Sequence, residues 1–315
     1  MSSVLSDKHF HDEAAAYRFV EARVWPDGPV CPHCGGVDRI SKMGGKSTRI
    51  GTYKCYQCRK PFTVKIGTIF ESSHIPLHIW LQAIFLLASS KKGISSNQLH
   101  RTLGVTLKTA WFLSHRIREA MRSGGLDPLG GAGKIVEADE TYFGECENFM
   151  PSSNRGGRPY TKGGRSGPSN KRAVVALVER GGEARTFHVD RATKAAVTKI
   201  VTENVDRETY LHTDESRLYG DADQLFAEHR TVKHSVSEYV RGIVHTNTVE
   251  SVFSVFKRGM VGVYQHCSEK HLHRYLAEFD FRYNARQALG MTDTVRAERA
   301  LKGIVGKRLT YRTVA

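Results

Sequence analysis

Four cysteines constrain this chain more than any other feature. Cys31 and Cys34 stand in CPHCGG and Cys55 and Cys58 in CYQC, two C-x-x-C knuckles separated by twenty residues. Each knuckle bends tightly enough to aim two thiolates at one point, and the two together complete a tetrahedron around Zn2+. The residues between them, VDRISKMGGKSTRIGTYK, read as short strands around a Gly-Gly turn, so a zinc ribbon is the expected form. Four protein ligands leave no coordination position for water, which makes the expected zinc structural. A redox dithiol is the competing reading of one knuckle, and a second matched knuckle argues against it. Cys146 and Cys267 have no knuckle partner and no role legible here.

The rest of the 315 residues have ordinary globular composition, enough for two or three domains. Lys and Arg number 47 against 32 Asp and Glu, a formal charge of +15, which favours a polyanionic partner, nucleic acid before membrane. The opening MSSVLSDKHFHDEAAAYRFVEARVWPDG has no apolar signal core, and the longest apolar patch, IWLQAIFLLA, is short and contains Gln82. A cytoplasmic, nucleoid-associated protein with reduced cysteines is therefore expected.

Residues 77–121 carry three helix-length periodic stretches punctuated by Gly93 and Gly104, with Ser95 or Ser96 and Thr106 placed as caps. The run SSNQLHRTLGVTLKTAWFLSHRIREAM resembles a helix-turn-helix, offering Lys108, Thr109, His115, Arg116 and Arg118 to DNA from its last helix; a plain helical bundle is the alternative. Gly124, Gly125, Gly130, Gly131 and Gly133 then mark a linker. The expected organisation is an N-terminal helix and ribbon over 1–74, the helix-turn-helix-like segment over 75–124, a Gly-rich linker over 125–133, an α/β domain over 134–290 and a basic tail over 291–315.

From Lys134 the pattern changes to α/β. KIVEADETYF, RAVVALVER and EARTFHV read as strands, ATKAAVTKIVTENV as a helix, ETYLHTD as a strand, RLYGDADQLFAEH as a helix and RTVKH as a short strand. A final helix, HTNTVESVFSVFKRG, carries the apolar stripe Val249, Val252, Phe253 and Phe256. This is the element order of the ribonuclease H-like (integrase-like) fold, a mixed sheet with flanking helices. Asp139 lies near the end of the first strand and Asp214 closes the fourth. If those strands are neighbours, their ends meet, and the last helix can bring Glu250 to the same place. Three converging carboxylates repel unless hard cations sit among them, so two Mg2+ or Mn2+ ions are expected, the arrangement that displaces phosphodiesters. Glu250 and Lys257 stand seven residues apart and so share one helix face, where Lys257 can reach a phosphate and Arg258 can assist. Glu137, Glu140 and Glu215 are nearby alternatives as ligands.

Taken together, WPDGPVCPHCGG, YKCYQCRKPFTVKIGTIFESSHIPLHIW, TAWFLSHRIREAM, VEADETYFG, HTDES and HTNTVESVFSVFKRGMVGVYQHCSEKHLHRYLAEFDFRYNAR resemble the insertion-sequence transposases of the acidic-triad (DDE) type, ISXO-like group. The resemblance covers nearly the whole chain. It implies catalytic roles for Asp139, Asp214 and Glu250 with Lys257 following, and attack on DNA first by water and then by a freed 3′-hydroxyl. It also implies a homodimer or higher oligomer that joins the element's terminal inverted repeats to target DNA. Two positions depart from the family pattern: Gly144 is followed by Glu145 where a second Gly is frequent, and Ala176 stands where the second strand often has Gly. Neither touches the triad.

Residues 148–172 contain five Gly, six Lys or Arg and no acid, so Arg155, Arg158, Lys162, Arg165, Lys171 and Arg172 are expected to meet DNA phosphates, a solubilising loop being the bland alternative. The helix SEKHLHRYLAEFDFRYNARQAL is expected to pack through Leu272, Tyr275, Leu276 and Phe279, leaving His271, Arg274 and Arg282 to face the phosphate backbone of DNA. His245, Asn247 and His266 flank the Glu250 helix, with capping as the plain reading of Asn247. A catalytically silent DNA-binding regulator and a structure-specific nuclease of the same fold are the competing functions.

Overall fold

A computed structural model describes residues 3–124, 126–147, 161–162, 165–166 and 170–310. The chain divides into two compact units, residues 1–122 with 285–315, and residues 123–284.

In the first unit, helix α1 (Glu13–Val24) precedes a three-stranded antiparallel ribbon of β1 (Ile40–Lys42), β2 (Tyr53–Cys55) and β3 (Pro61–Phe62). Buried Cys31, Cys55 and Phe62 form its small core, with Trp25 and Tyr53 packed edge to face. The four thiols cluster with Cys31 to Cys58 and Cys34 to Cys55 sulfur separations of 3.7 Å. A regular tetrahedron with metal–sulfur bonds of about 2.3 Å has edges of about 3.8 Å, so the cluster fits a structural zinc.

Helices α2 (Leu77–Ser89), α3 (Ser96–Leu103) and α4 (Leu107–Met121) follow. The Ser95 hydroxyl accepts from the Gln98 N–H at 3.1 Å, left-handed Gly104 ends α3, and Thr106 caps α4 through the Thr109 N–H at 3.2 Å. Helix α2 starts at Pro76, which has no side-chain cap to offer; instead the Glu13 carboxylate accepts the N–H groups of Leu77 (2.8 Å) and His78 (3.1 Å). The 291–315 segment is more than the basic tail expected. Thr292 caps a helix over Asp293–Lys302 that buries Arg296, Ala300 and Leu301 within the first unit. Among the described residues no helix is long and apolar enough to cross a membrane.

The second unit is built on a five-stranded sheet of β4 (Ile135–Glu145), β5 (Lys171–Glu179), β6 (Ala184–Val189), β7 (Tyr210–Asp214) and β8 (Glu228–Val232), ordered β8-β7-β4-β5-β6. Strands β4, β7 and β8 run parallel, while β5 and β6 are antiparallel to their neighbours. Helix α5 (Lys194–Asn204) covers one face, where Val136, Ala138, Val175, Leu177 and Leu211 meet Val197 and Val201. Helices α6 (Asn247–Gly259) and α7 (Leu272–Asn284) cover the other, packing on Val174, Ala176 and Val178. This mixed sheet, with helices on both faces, has ribonuclease H-like topology.

Two expectations need correction. RLYGDADQLFAEH forms two short 3-10 turns, Arg217–Tyr219 and Ala222–Gln224, because Gly220 and Asp221 interrupt it, and β8 begins earlier than expected. The glycine-rich linker is docked: buried Leu129 pairs with Asn204 and Asp206 through its backbone, and the Gly131 N–H donates to the Thr209 hydroxyl at 2.9 Å. Gly130 is required there, since its φ of +86° is left-handed and a Cβ would stand 2.1 Å from that hydroxyl.

If the thiol cluster holds zinc, Cys55→Ser, which removes a buried ligand, will lower bound zinc well below one ion per chain. Limited proteolysis will then cut within the ribbon while the sheet-based unit survives; stoichiometric zinc in the variant would contradict the four-thiolate assignment.

Candidate functional site

Strand parity decides what reaches the site. Glu137, Asp139 and Thr141 pair across β4–β5 with Val178, Ala176 and Val174, so all six face α6. Parallel pairing of β4 with β7 runs from Ile135↔Tyr210 to Glu137↔His212, which leaves Asp139 and Asp214 two residues beyond the last pair. Helix α6 docks over these ends by burying Val249, Val252, Phe253 and Phe256, each contributing about 2 kcal/mol. Its outward edge carries Glu250 and Lys257.

The result is an open cleft of about 480 Å3 lined by Asp139, Thr141, Asp214, His234, Glu250, Phe253, Ser254, Lys257 and Arg258. It thus brings together Asp139, Asp214 and Glu250 with the side chains of Lys257 and Arg258. Asp139 accepts the Glu140 N–H at 2.7 Å and Asp214 accepts the Ser216 N–H at 2.9 Å. Glu250 is exposed; the Thr246 hydroxyl donates to it at 3.3 Å, and His234 Nε2 lies 3.7 Å away. Burial, then the charges of Asp214, Glu140 and Glu250, push the Asp139 carboxyl up to about 8. A positive charge placed among these carboxylates would draw it down again.

Asp139, Glu140 and Asp214 have oxygens within 4.8 Å of one another, a tighter trio than one including Glu250. Glu140 nevertheless points to the α5 side, where the Ser216 and Tyr219 hydroxyls donate to its two oxygens at 3.1 Å each. Burial and Asp214 raise its carboxyl. It does not line the cleft, whereas Glu250 does and could join Asp139 and Asp214 around a cation there. Glu215 turns away to Ser235, whose N–H donates at 2.9 Å. Glu137 is fully buried beneath the cleft and caps α6, accepting the Thr248 N–H (2.8 Å) and Val249 N–H (3.0 Å). Thr246 provides no side-chain cap, and Asn247 is exposed in the first turn.

Several expected phosphate contacts are interior instead. His115, Arg116 and Arg118 are buried on α4; Arg116 donates to the carbonyls of Ile69 (2.9 Å) and Leu309 (3.0 Å), and Arg118 to the Ser114 hydroxyl (3.0 Å). These bonds compensate the guanidinium groups for lost water. Only Lys108 stays exposed among the cationic residues expected on α4, with Thr109 half-buried beside it. Arg172 is buried against the carbonyls of Glu145 (2.9 Å) and Cys267, and Arg282 is buried against Glu278. Lys171, His271 and Arg274 are half-buried, while Arg258 and His266 are exposed. Arg155 and Arg158 lie outside the described residues. Lys162 and Arg165 pair through their backbones in a small hairpin, and their side chains lie outside the described set. His234 was missed, since nothing local distinguishes KHS; only its place beside the α6 end reveals it.

Comparison with known proteins finds transposase relatives. The family model described as an ISXO2-like transposase domain matches residues 128–284, and a transposase zinc-ribbon domain matches residues 11–61. An uncharacterized protein in transposable element ISH50 of Halobacterium salinarum is 29% identical over 283 residues, 87% of this chain and 92% of that protein. Among solved structures, the Mos1 strand transfer complex aligns over 70% of this chain and 74% of its own at 11% identity and a TM-score of 0.27, too loosely to bear on the site.

Asp139 makes the metal-free protein pH-sensitive. Its folded carboxyl holds a proton up to about pH 8, whereas in the unfolded chain it ionises near its ordinary value of 3.8. The folded state therefore binds the extra proton between these limits, and stability falls as pH rises through that window. Urea denaturation without Mg2+ or Mn2+ is expected to show this slope, and Asp139→Asn to flatten part of it with a gain of about 2 kcal/mol at pH 8. The remainder belongs to buried Asp280, whose carboxyl burial also pushes up to about 8. An unchanged slope would rule out the raised carboxyl.

Proposed function

The chain belongs to the ISXO2-like transposases, and we propose that it cuts and joins DNA at the ends of its own insertion element by metal-dependent phosphoryl transfer at Asp139, Asp214 and Glu250. The observation that carries this reading is the single cleft in which the three carboxylates stand beside Lys257 and Arg258. A protein that only bound DNA would gain nothing from concentrating negative charge against a phosphate backbone.

Divalent cations held by the three carboxylates would supply activation of the attacking oxygen and stabilisation of the leaving one. The chain's own residues do the rest. Lys257 and Arg258 offer fixed positive charge to the phosphodiester entering the cleft, offsetting the repulsion that the acidic cluster would otherwise impose. His234, within reach of Glu250, lines the cleft together with Phe253 and Ser254 and limits how the DNA strand can lie. No side-chain nucleophile is required, because water and then a DNA 3′-hydroxyl serve in turn. The zinc ribbon and the α3–α4 pair supply surfaces for the element ends, with Lys108 the exposed cation of α4. Because two ends must be joined, a homodimer or larger assembly on DNA completes the proposal.

Purified protein incubated with Mn2+ or Mg2+ and labelled DNA from the flanks of its gene should join labelled ends to a plasmid. Asp214→Asn and Glu250→Gln are each expected to reduce joining by at least about 100-fold while zinc content and DNA binding persist. Binding without cutting or joining under every metal condition would leave a DNA-binding regulator, and cutting without joining a nuclease.

A further inference from the structure

Beneath the cleft lies a second polar cluster. Glu137, with no exposed surface, stands two residues before Asp139 on β4. His212, 1% exposed, stands two residues before Asp214 on β7 and is the register partner of Glu137. Thr248 stands two residues before Glu250 on α6 and gives Glu137 both its N–H (2.8 Å) and its hydroxyl (2.9 Å). Arg180, just past β5, ties these together. Its Nε donates to Glu137 at 2.6 Å and its Nη2 to His212 Nδ1 at 3.2 Å. Its remaining bonds reach the carbonyls of Ile243 (2.6 Å) and His245 (2.9 Å) in the segment leading into α6. A guanidinium can only donate, so Nδ1 of His212 is the acceptor.

Each of the three elements that carry a cleft carboxylate is thus gripped two residues before that carboxylate, by the same cluster built round the fully buried Glu137. Two residues are about 6.7 Å of strand, or just over half a helical turn, too short a lever for the carboxylates to drift far. Without such a grip, the three acids, which repel one another once all are ionised, would be free to relax apart before any cation arrived.

We propose that Glu137 and Arg180 form a positioning centre that fixes the spacing of Asp139, Asp214 and Glu250, so that the cleft keeps a cation-ready geometry when empty. The proposal rests on reading those three carboxylates as a metal site. Glu137 touches neither cation nor DNA in this scheme. It acts through the backbone of β4 and the first turn of α6.

The test titrates Mn2+ into the purified full-length protein, following free Mn2+ by electron paramagnetic resonance, alongside the Mn2+ dependence of DNA cleavage. Glu137→Gln should weaken Mn2+ binding by about 10-fold or more, the scale of disturbed outer-shell partners, with cleavage partly recovered at high Mn2+. Thr248→Val, which loses only the hydroxyl, should weaken it by roughly 3-fold, and Thr248→Ser should restore it. A merely structural role would lower the active fraction and leave the half-saturating Mn2+ concentration unmoved. Wild-type Mn2+ affinity in a folded Glu137→Gln overturns the proposal; if that variant does not fold, wild-type affinity in Thr248→Val does so. Failure of the wild-type protein to bind Mn2+ at all overturns the metal-site reading first.

Discussion

The parallel pairing of β4 with β7 is the constraint on which the second unit depends. It spans only three residue pairs and stops at Glu137↔His212, so Asp139 and Asp214 project from the ladder's end, where the backbone leaves room between them. Strand alternation then sorts every neighbouring side chain. Val136 and Ala138 enter the α5 core, while Glu137, Asp139 and Thr141 turn to the α6 side. A one-residue slip would exchange these sets, burying Asp139 under α5 and opening the apolar core to water. Glu140 shows what that other face provides: two hydroxyl donors, one of them the buried Tyr219.

What could be read from the sequence follows the range of the interactions concerned. The paired cysteine knuckles, the Ser95 and Thr106 caps, the apolar stripe of α6 and the order of strands and helices are signals confined to a few residues, and they were legible. The start of α6 was visible only as a stripe, because its cap is Glu137, over a hundred residues away in the chain. Helix α2 is the same case, with Pro76 silent and Glu13 supplying the carboxylate from 64 residues upstream. A capping rule that looks three residues ahead cannot find either. Within the site, Asp139, Asp214, Glu250 and Lys257 were marked out by residue type and position in the element pattern, whereas His234 depended on tertiary placement alone.

The arginines mark the opposite limit. Arg116, Arg118, Arg172 and Arg282 looked like contacts for DNA because arginine on a helix or strand of a basic protein usually faces water. Each instead has interior partners, and Arg116 and Arg172 each satisfy backbone carbonyls at chain crossings. Their planar, multiply donating heads suit that task better than lysine would. The formal charge of +15 therefore overstates the field available to a phosphate backbone, which must come from the residues that remain exposed, Lys108, Lys257 and Arg258 among them.

The antiparallel pairing of β4 and β5 continues to Glu145↔Lys171 and is closed by a Cys146 N–H to Asn170 carbonyl bond of 2.9 Å. The chain between these residues thus begins and ends at one hydrogen-bonded rung. Asp139 therefore stands inside the β4–β5 ladder, with paired residues on either side of it, even though it lies beyond the end of the β4–β7 ladder, so its strand is anchored along one edge just where the other edge leaves its partner.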